Sequence, residues 1–237
     1  MIARHPWVAF PLFFFRRKLL HRSIPLLASF KLTYRCNLTC LACSFHRRAK
    51  EENAHMKWQT ATAALDALHR SGVRIVVFEG GEPLLWRDGP YDINDLIEYA
   101  KKRFSKVAAT TNGTYPLNVK SHILWVSLDG LKNTHDYLRS RSFDKVWSNL
   151  LASGHRRLFV HFTINRENRH DVRPLLEKLK GVKAVSGMTV QLFYPYNQGE
   201  TPLALRRGTK GSFGRSNSPQ KGGFTHSQLH KSAESID

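Results

Sequence analysis

Phe30-Lys31-Leu32-Thr33-Tyr34 alternates apolar and polar side chains, the period-two signature of a strand with one buried face. The period then lengthens: Ala61, Ala64, Leu65 and Leu68 recur at helical spacing within residues 57–71, and Gly72 stops that helix. Arg74-Ile75-Val76-Val77-Phe78-Glu79 follows as a nearly continuous apolar run, as in a parallel strand buried on both faces. The same alternation predicts a helix over residues 93–104, strands over 107–111 and 123–128, and a helix over 143–153 ending near Gly154. A strand over 158–164, a helix over 171–180 before Gly181 and a sixth strand over 188–193 complete it. Six strands alternating with helices imply βαβ units and a parallel sheet. The link over residues 115–122 is too short for a crossover helix and interrupts the pattern once. The expected fold is α/β, a partial (βα)6 TIM-like barrel, with an open doubly wound sheet as the competing arrangement.

The alternation fills residues 30–195, so three segments are expected: 1–29, 30–195 and 196–237. The first carries Trp7-Val8-Ala9-Phe10-Pro11-Leu12-Phe13-Phe14-Phe15, then Arg16-Arg17-Lys18 and Leu19-Leu20. A secretory signal would place its charges before the apolar run, not after it. Two readings stand level: an interfacial segment with aromatics in the headgroup boundary, or a helix before the barrel whose aromatics cover one end of the core. The last segment mixes Gly208, Gly211, Gly214, Gly222 and Gly223 with Ser, Lys and Arg. It reads as a disordered basic tail or as the product of a frameshift, which translation of the adjacent frame would test.

Charge sharpens this division. The net charge of +19 is concentrated at the ends: residues 1–50 hold ten Lys or Arg and no Asp or Glu, whereas 51–205 hold 21 basic and 16 acidic residues. Basic ends attract RNA or anionic lipid, and the plainer reading is a solvated basic surface. The hydrophobic fraction of 41% and five Trp describe a globular chain. No apolar run reaches the eighteen or so residues that a spanning helix needs. Three clustered cysteines without a disulfide framework fit a reducing, cytoplasmic compartment, with membrane association left open by the N-terminus.

Those cysteines are Cys36, Cys40 and Cys43, spaced C-x3-C-x2-C on the loop leaving the first strand. Three neighbouring thiolates can share a metal centre, and an odd number cannot pair off as disulfides. Structural zinc usually takes four closed ligands, for which His46 would have to be the fourth. Cubane iron–sulfur clusters normally take four thiolates, so one held by three leaves an iron open. Other informative residues fall at strand ends, where parallel α/β folds collect ligands: Gly80-Gly81-Glu82-Pro83, Asn112-Gly113, and Ser127 with Asp129. Gly80 and Gly81 let a ligand approach the backbone, and Glu82 adds a carboxylate able to meet an ammonium. Asn112, Ser127 and Asp129 suit ribose hydroxyls, although Asn-Gly and Asp-Gly are also common turn pairs. Thr163 and Asn165 close the fifth strand; His161 reads as a core residue, His46 as a solvated loop residue, and Tyr194 and Tyr196 as packing aromatics.

C-x3-C-x2-C after a first strand, followed by Gly-Gly-Glu-Pro after a second, resembles the radical S-adenosylmethionine (SAM) enzymes over about residues 30–195. Val126-Ser127-Leu128-Asp129-Gly130 and Thr111-Asn112-Gly113 resemble that family's fourth- and third-strand ends. The resemblance implies that Cys36, Cys40 and Cys43 hold a [4Fe–4S] cluster, SAM occupies the fourth iron, and Gly80, Gly81, Glu82 and Pro83 seat its methionine end. It further implies reductive cleavage of SAM to a 5′-deoxyadenosyl radical that abstracts hydrogen from an unknown substrate, with a flavodoxin or ferredoxin as electron donor. The family commonly places an aromatic before the last cysteine; here Ala42 stands there, with Phe45 as a substitute near the adenine. With no further cysteine, the chain as given cannot bind an auxiliary cluster through cysteine alone. Two other functions compete: a zinc- or iron–sulfur-stabilised RNA- or membrane-binding module, and an inactive truncated fragment of such an enzyme.

Overall fold

A computed structural model describes residues 6–195 except 20, 22–24, 42 and 44. The tail expected over 196–237, Tyr196 and Ala42 lie outside the described residues.

The first described element is helix α1 (Pro6–Lys18), which holds the aromatic segment. Strand β1 (Leu27–Thr33) begins three residues earlier than its alternation suggested. The cause is its neighbour: Leu27 pairs with Ile75 at the start of β2 (Ile75–Gly80), and the Leu26 carbonyl accepts from Arg74 N and Ile75 N. Helix α2 (Trp58–Arg70) joins them. A small antiparallel pair, β3 (Arg87–Asp88) and β4 (Tyr91–Asp92), precedes α3 (Ile93–Lys101). Asp92 starts α3 by a capping box, accepting from Asn94 N and Asp95 N while Asp95 returns a bond to Asp92 N. After β5 (Lys106–Thr111) the chain reaches β6 (Ile123–Ser127) with no helix between them, as the short link demanded. Helices α4 (Lys132–Leu138) and α5 (Phe143–Leu151) lead to β7 (Leu158–Ile164), and α6 (Val172–Leu179) to β8 (Val185–Leu192).

The six long strands form one parallel sheet in the order β1-β2-β5-β6-β7-β8. A doubly wound sheet reverses its strand order at a switch point. This order never turns back, so the barrel-type arrangement holds. Register explains its two faces. Phe30, Phe78, Ala109, Leu124 and Leu158 are successive cross-strand partners, and all are buried. The amphipathic helices close over that face through Leu65, Leu96, Ile97, Val146, Leu150, Leu175 and Leu179. Each such buried side chain contributes roughly 1.5–3 kcal/mol. One residue along, Lys31, Glu79 and Thr110, and three along, Ser127 and His161, share the opposite face, which borders a cavity.

Candidate active site

The cavity measures about 290 Å³ and lies at the carboxyl edge of the sheet. Cys36, Cys40 and Cys43 line it together with Gly80, Gly81, Asn112, Ser127 and Asp129, so eight of the ten anticipated site residues share one space. Thr163 and Asn165 line it as well, and so does His161, whose Nδ1 lies 3.1 Å from Thr189 Oγ1. Phe45, the anticipated substitute for an aromatic at Ala42, is on the same wall, stacked on Tyr34 with ring centroids 5.7 Å apart.

The cysteine loop is tied to the end of β5 and to the end of α4. Asn112 Nδ2 donates to Asn37 Oδ1 at 2.9 Å and to Cys36 Sγ at 3.7 Å, while Leu38 N donates to the same sulfur at 3.5 Å. Farther along, Leu41 N donates to the Leu138 carbonyl at 2.9 Å and Thr39 N to Ser140 Oγ at 3.0 Å. All three cysteines are half-buried free thiols. Burial raises Cys36 and pushes Cys40 up to about 11, with the Arg139 guanidinium pulling Cys40 the other way. The neighbouring Cys43 raises both, and Cys36 raises Cys40, so the sulfurs sense one another's charge. Three adjacent soft donors fit an iron–sulfur centre. Among the described residues no three His, Cys, Asp or Glu side chains are gathered as ligands of a single ion. A polynuclear iron–sulfur centre held by the three cysteines would require no such convergence.

Two anticipated residues sit elsewhere than expected. Glu82 and Pro83 are buried and do not line the cavity. The Glu82 carboxylate accepts from Leu84 N at 2.9 Å, Thr111 Oγ1 at 2.8 Å and Asn112 N at 2.6 Å. It fastens the second strand end to the third, and its donors are protein groups where an incoming ammonium had been foreseen. Burial pushes its carboxyl up to about 7 against those three donors.

The glycines also differ in emphasis. A Cβ on Gly80, whose φ is +136°, would stand 2.3 Å from the Thr33 carbonyl oxygen, and one on Gly81 would stand 2.2 Å from that of Arg35. Their bareness admits the backbone entering the cysteine loop, which Gly81 N and Glu82 N bind through the carbonyls of Thr33 and Arg35 at 2.6 and 2.9 Å. Gly81→Ala is therefore expected to destabilise the fold by about 3 kcal/mol, since the obstructing atoms are backbone and cannot swing aside. Urea unfolding measures this; an unchanged midpoint would mean that the loop has another seat.

Sequence reading overlooked Arg139. It lies one residue past α4, lines the cavity and forms an ion pair with Asp129 in which the side chains are 17% and 8% exposed. Asp129 Oδ1 also accepts from Thr163 N at 2.7 Å, so this carboxylate, read as a ribose partner, is engaged by protein on both oxygens. Asn112 is engaged with the cysteine loop; Ser127 lines the cavity beside them.

His135, one turn before Arg139, is fully buried. Its Nδ1 accepts from Asp129 N at 3.1 Å, leaving Nε2–H to donate to Ser142 Oγ at 3.0 Å. Burial and the Arg139 charge hold its pKa down to about 3. The unfolded chain takes up that proton below about pH 6.5 while the fold refuses it, so the contribution is present above 6.5 and lost as pH falls toward 3. At pH 4.5 the loss from this residue is about 3 kcal/mol. Glu82, whose pKa is raised, works in the opposite sense: its contribution is lost as pH climbs from 4.5 through 7. The test is thus a difference. His135→Gln should flatten the acid arm of the wild-type stability profile, and parallel profiles would rule out His135 as its cause.

Known proteins resemble this arrangement. The model of the Radical SAM superfamily matches residues 30–179, more than half of the chain. Over 164 residues the chain is 29% identical to the Fe-coproporphyrin III synthase of Methanosarcina barkeri, covering 64% of this chain and 40% of that protein. It is 28% identical over 179 residues to the subtilosin biosynthesis protein AlbA of Bacillus subtilis, covering 69% and 39%. The fold is similar to that of Streptococcus suis SuiB bound to S-adenosylmethionine, with TM-score 0.60, 19% identity, and 78% and 44% of the two chains covered. Methylornithine synthase is similar at TM-score 0.57 and 16% identity, covering 80% and 59%. The chain spans about two fifths of the length of the curated relatives it matches.

Proposed function

This chain belongs to the radical SAM superfamily, and on that premise we propose that it binds a [4Fe–4S] cluster through Cys36, Cys40 and Cys43 and cleaves SAM reductively. Enzymes of this family use that cluster and SAM. Bound together, the two supply a one-electron cleavage of the sulfonium and thereby hydrogen abstraction from a substrate. A low-potential donor of the flavodoxin or ferredoxin kind supplies the electron. The observation that carries the reading is the shared cavity of the three thiols and the diglycine turn.

The remaining roles belong to this chain's own side chains. Gly80 and Gly81 hold the cysteine loop against the second strand end, and their backbone faces the methionine end of SAM. Glu82 and Pro83 fix that turn from behind. Asn112 donates toward Cys36, which favours its thiolate. Ser127 meets the nucleoside, while Asp129 orients Arg139, a cation that offsets the negative charge of the thiolates. Phe45 offers a flat apolar face to adenine.

The test is anaerobic reconstitution followed by assay of 5′-deoxyadenosine with dithionite as reductant. Uptake of about four irons per chain with product formation is expected. A chain that takes up the iron yet yields no 5′-deoxyadenosine would be an inactive piece of such an enzyme. Binding of one zinc without iron–sulfur absorbance would mark a structural metal module.

A further inference from the structure

Helix α1 uses two of its sides differently. Ala9 and Phe13 are buried, whereas Trp7 is 82% exposed and Phe14 52% exposed. Trp7, Phe10, Pro11 and Phe14 fall at i, i+3, i+4 and i+7, so they stack on one face and line a single apolar groove. Phe15 within the helix and Leu19 just past its end add to the exposed apolar surface. A monomeric surface rarely leaves so much contiguous aromatic area to water.

Along the sequence the charge near this helix has one sign: Arg4 precedes it, Arg16, Arg17, Lys18 and Arg22 fall at or after its end, and the first acidic residue of the chain is Glu51. We infer that α1 is a membrane-surface helix: it lies in the interface of an anionic bilayer, its aromatic stripe in the headgroup boundary and its flanking cations on lipid phosphates.

Three observations select this occupant. Thirteen residues of helix are about 20 Å long, short of the roughly 30 Å hydrocarbon core, and no described helix is long and apolar enough to cross a membrane. The segment can lie on a bilayer without spanning it. A second copy packed stripe to stripe would bring the same cluster, Arg16, Arg17 and Lys18, near its own like charges. RNA would satisfy the cations, yet Phe14, Phe15 and Leu19 form a mixed aromatic and aliphatic surface, which suits acyl chains better than base stacking. Pro11 fits the same setting. It cannot donate to the Trp7 carbonyl, and interfacial water or headgroups can satisfy that group.

The test is flotation of the full chain with phosphatidylcholine vesicles, with and without phosphatidylglycerol. Flotation with the anionic vesicles is expected, weakening as salt rises. Trp7→Ser/Phe14→Ser should weaken binding at least tenfold, and Arg17→Glu/Lys18→Glu about thirtyfold or more, at about fivefold for each cation lost. These positions are exposed, and circular dichroism checks that the variants fold. Absence of flotation, or flotation unaffected by the aromatic pair, would overturn the inference. So would RNA binding indifferent to the aromatic pair, or self-association lost in the aromatic variant without vesicle binding. The inference is independent of SAM cleavage, because neither variant touches a residue of the cavity.

Discussion

Alanine at any one of Cys36, Cys40 or Cys43 is expected to strip the reconstituted protein of its iron–sulfur absorbance and cut 5′-deoxyadenosine formation at least about a thousandfold. That factor corresponds to about 4 kcal/mol of activation free energy. Each position is held by a different neighbour: Cys36 by Leu38 N and Asn112, Cys40 beside Arg139, and Cys43 by its own N–H on the Cys40 carbonyl at 3.1 Å. A sulfur lost from one anchor is not replaced by another. Serine should fail as alanine does, since its hydroxyl does not ionise where a thiol yields a thiolate to iron. The apo fold should be spared, within about 1 kcal/mol by urea unfolding, because the thiols are half-buried at the sheet edge. A variant that keeps both full iron and full turnover would remove that cysteine from the centre.

The contrast between these cysteines and Arg139 shows what a single sequence makes legible. C-x3-C-x2-C is a local pattern whose spacing carries its chemistry, and Gly-Gly-Glu-Pro is one too. Strand ends were readable because buried runs such as Val76-Val77-Phe78 leave little choice of period. Helix α4 was missed because Lys132-Asn133-Thr134-His135-Asp136-Tyr137-Leu138 has no apolar stripe; among these residues only His135 and Leu138 are buried. Its stability comes from tertiary contacts and a Lys132–Asp136 pair at 3.4 Å. Arg139 follows that invisible helix, so nothing local tied it to Asp129. Glu82 is a different case. Its place in the turn is local sequence, whereas the inward direction of its side chain is set by Thr111 and Asn112, about thirty residues on. The substrate is not written in this core. Relatives named for coproporphyrin and for subtilosin biosynthesis each match about two thirds of the chain at similar identity, so the likeness does not single out one substrate.

Arg139→Met should cost about 3–5 kcal/mol of stability, the largest loss expected from any single change at the site. The pair is shielded, with Asp129 only 8% exposed, and methionine would leave that carboxylate with Thr163 N as its remaining donor at 2.7 Å. Asp129→Asn should cost about as much, since it strands a guanidinium that burial already penalises and leaves Thr163 N facing an amide that can present the wrong end. If the two charges exist chiefly for each other, the double variant will lose about 2 kcal/mol less than the sum of the singles. Arg139→Lys separates charge from shape: it keeps the cation beside the thiols and gives up the planar fork, so stability should fall less than in Arg139→Met. The same charge faces Cys40, and a thiolate centre left without it holds its negative charge in a less favourable field. Iron retention under chelator should therefore fall in Arg139→Met and recover substantially in Arg139→Lys. Additive single losses, or iron retention indifferent to both substitutions, would reduce Arg139 to a bystander on the cavity wall.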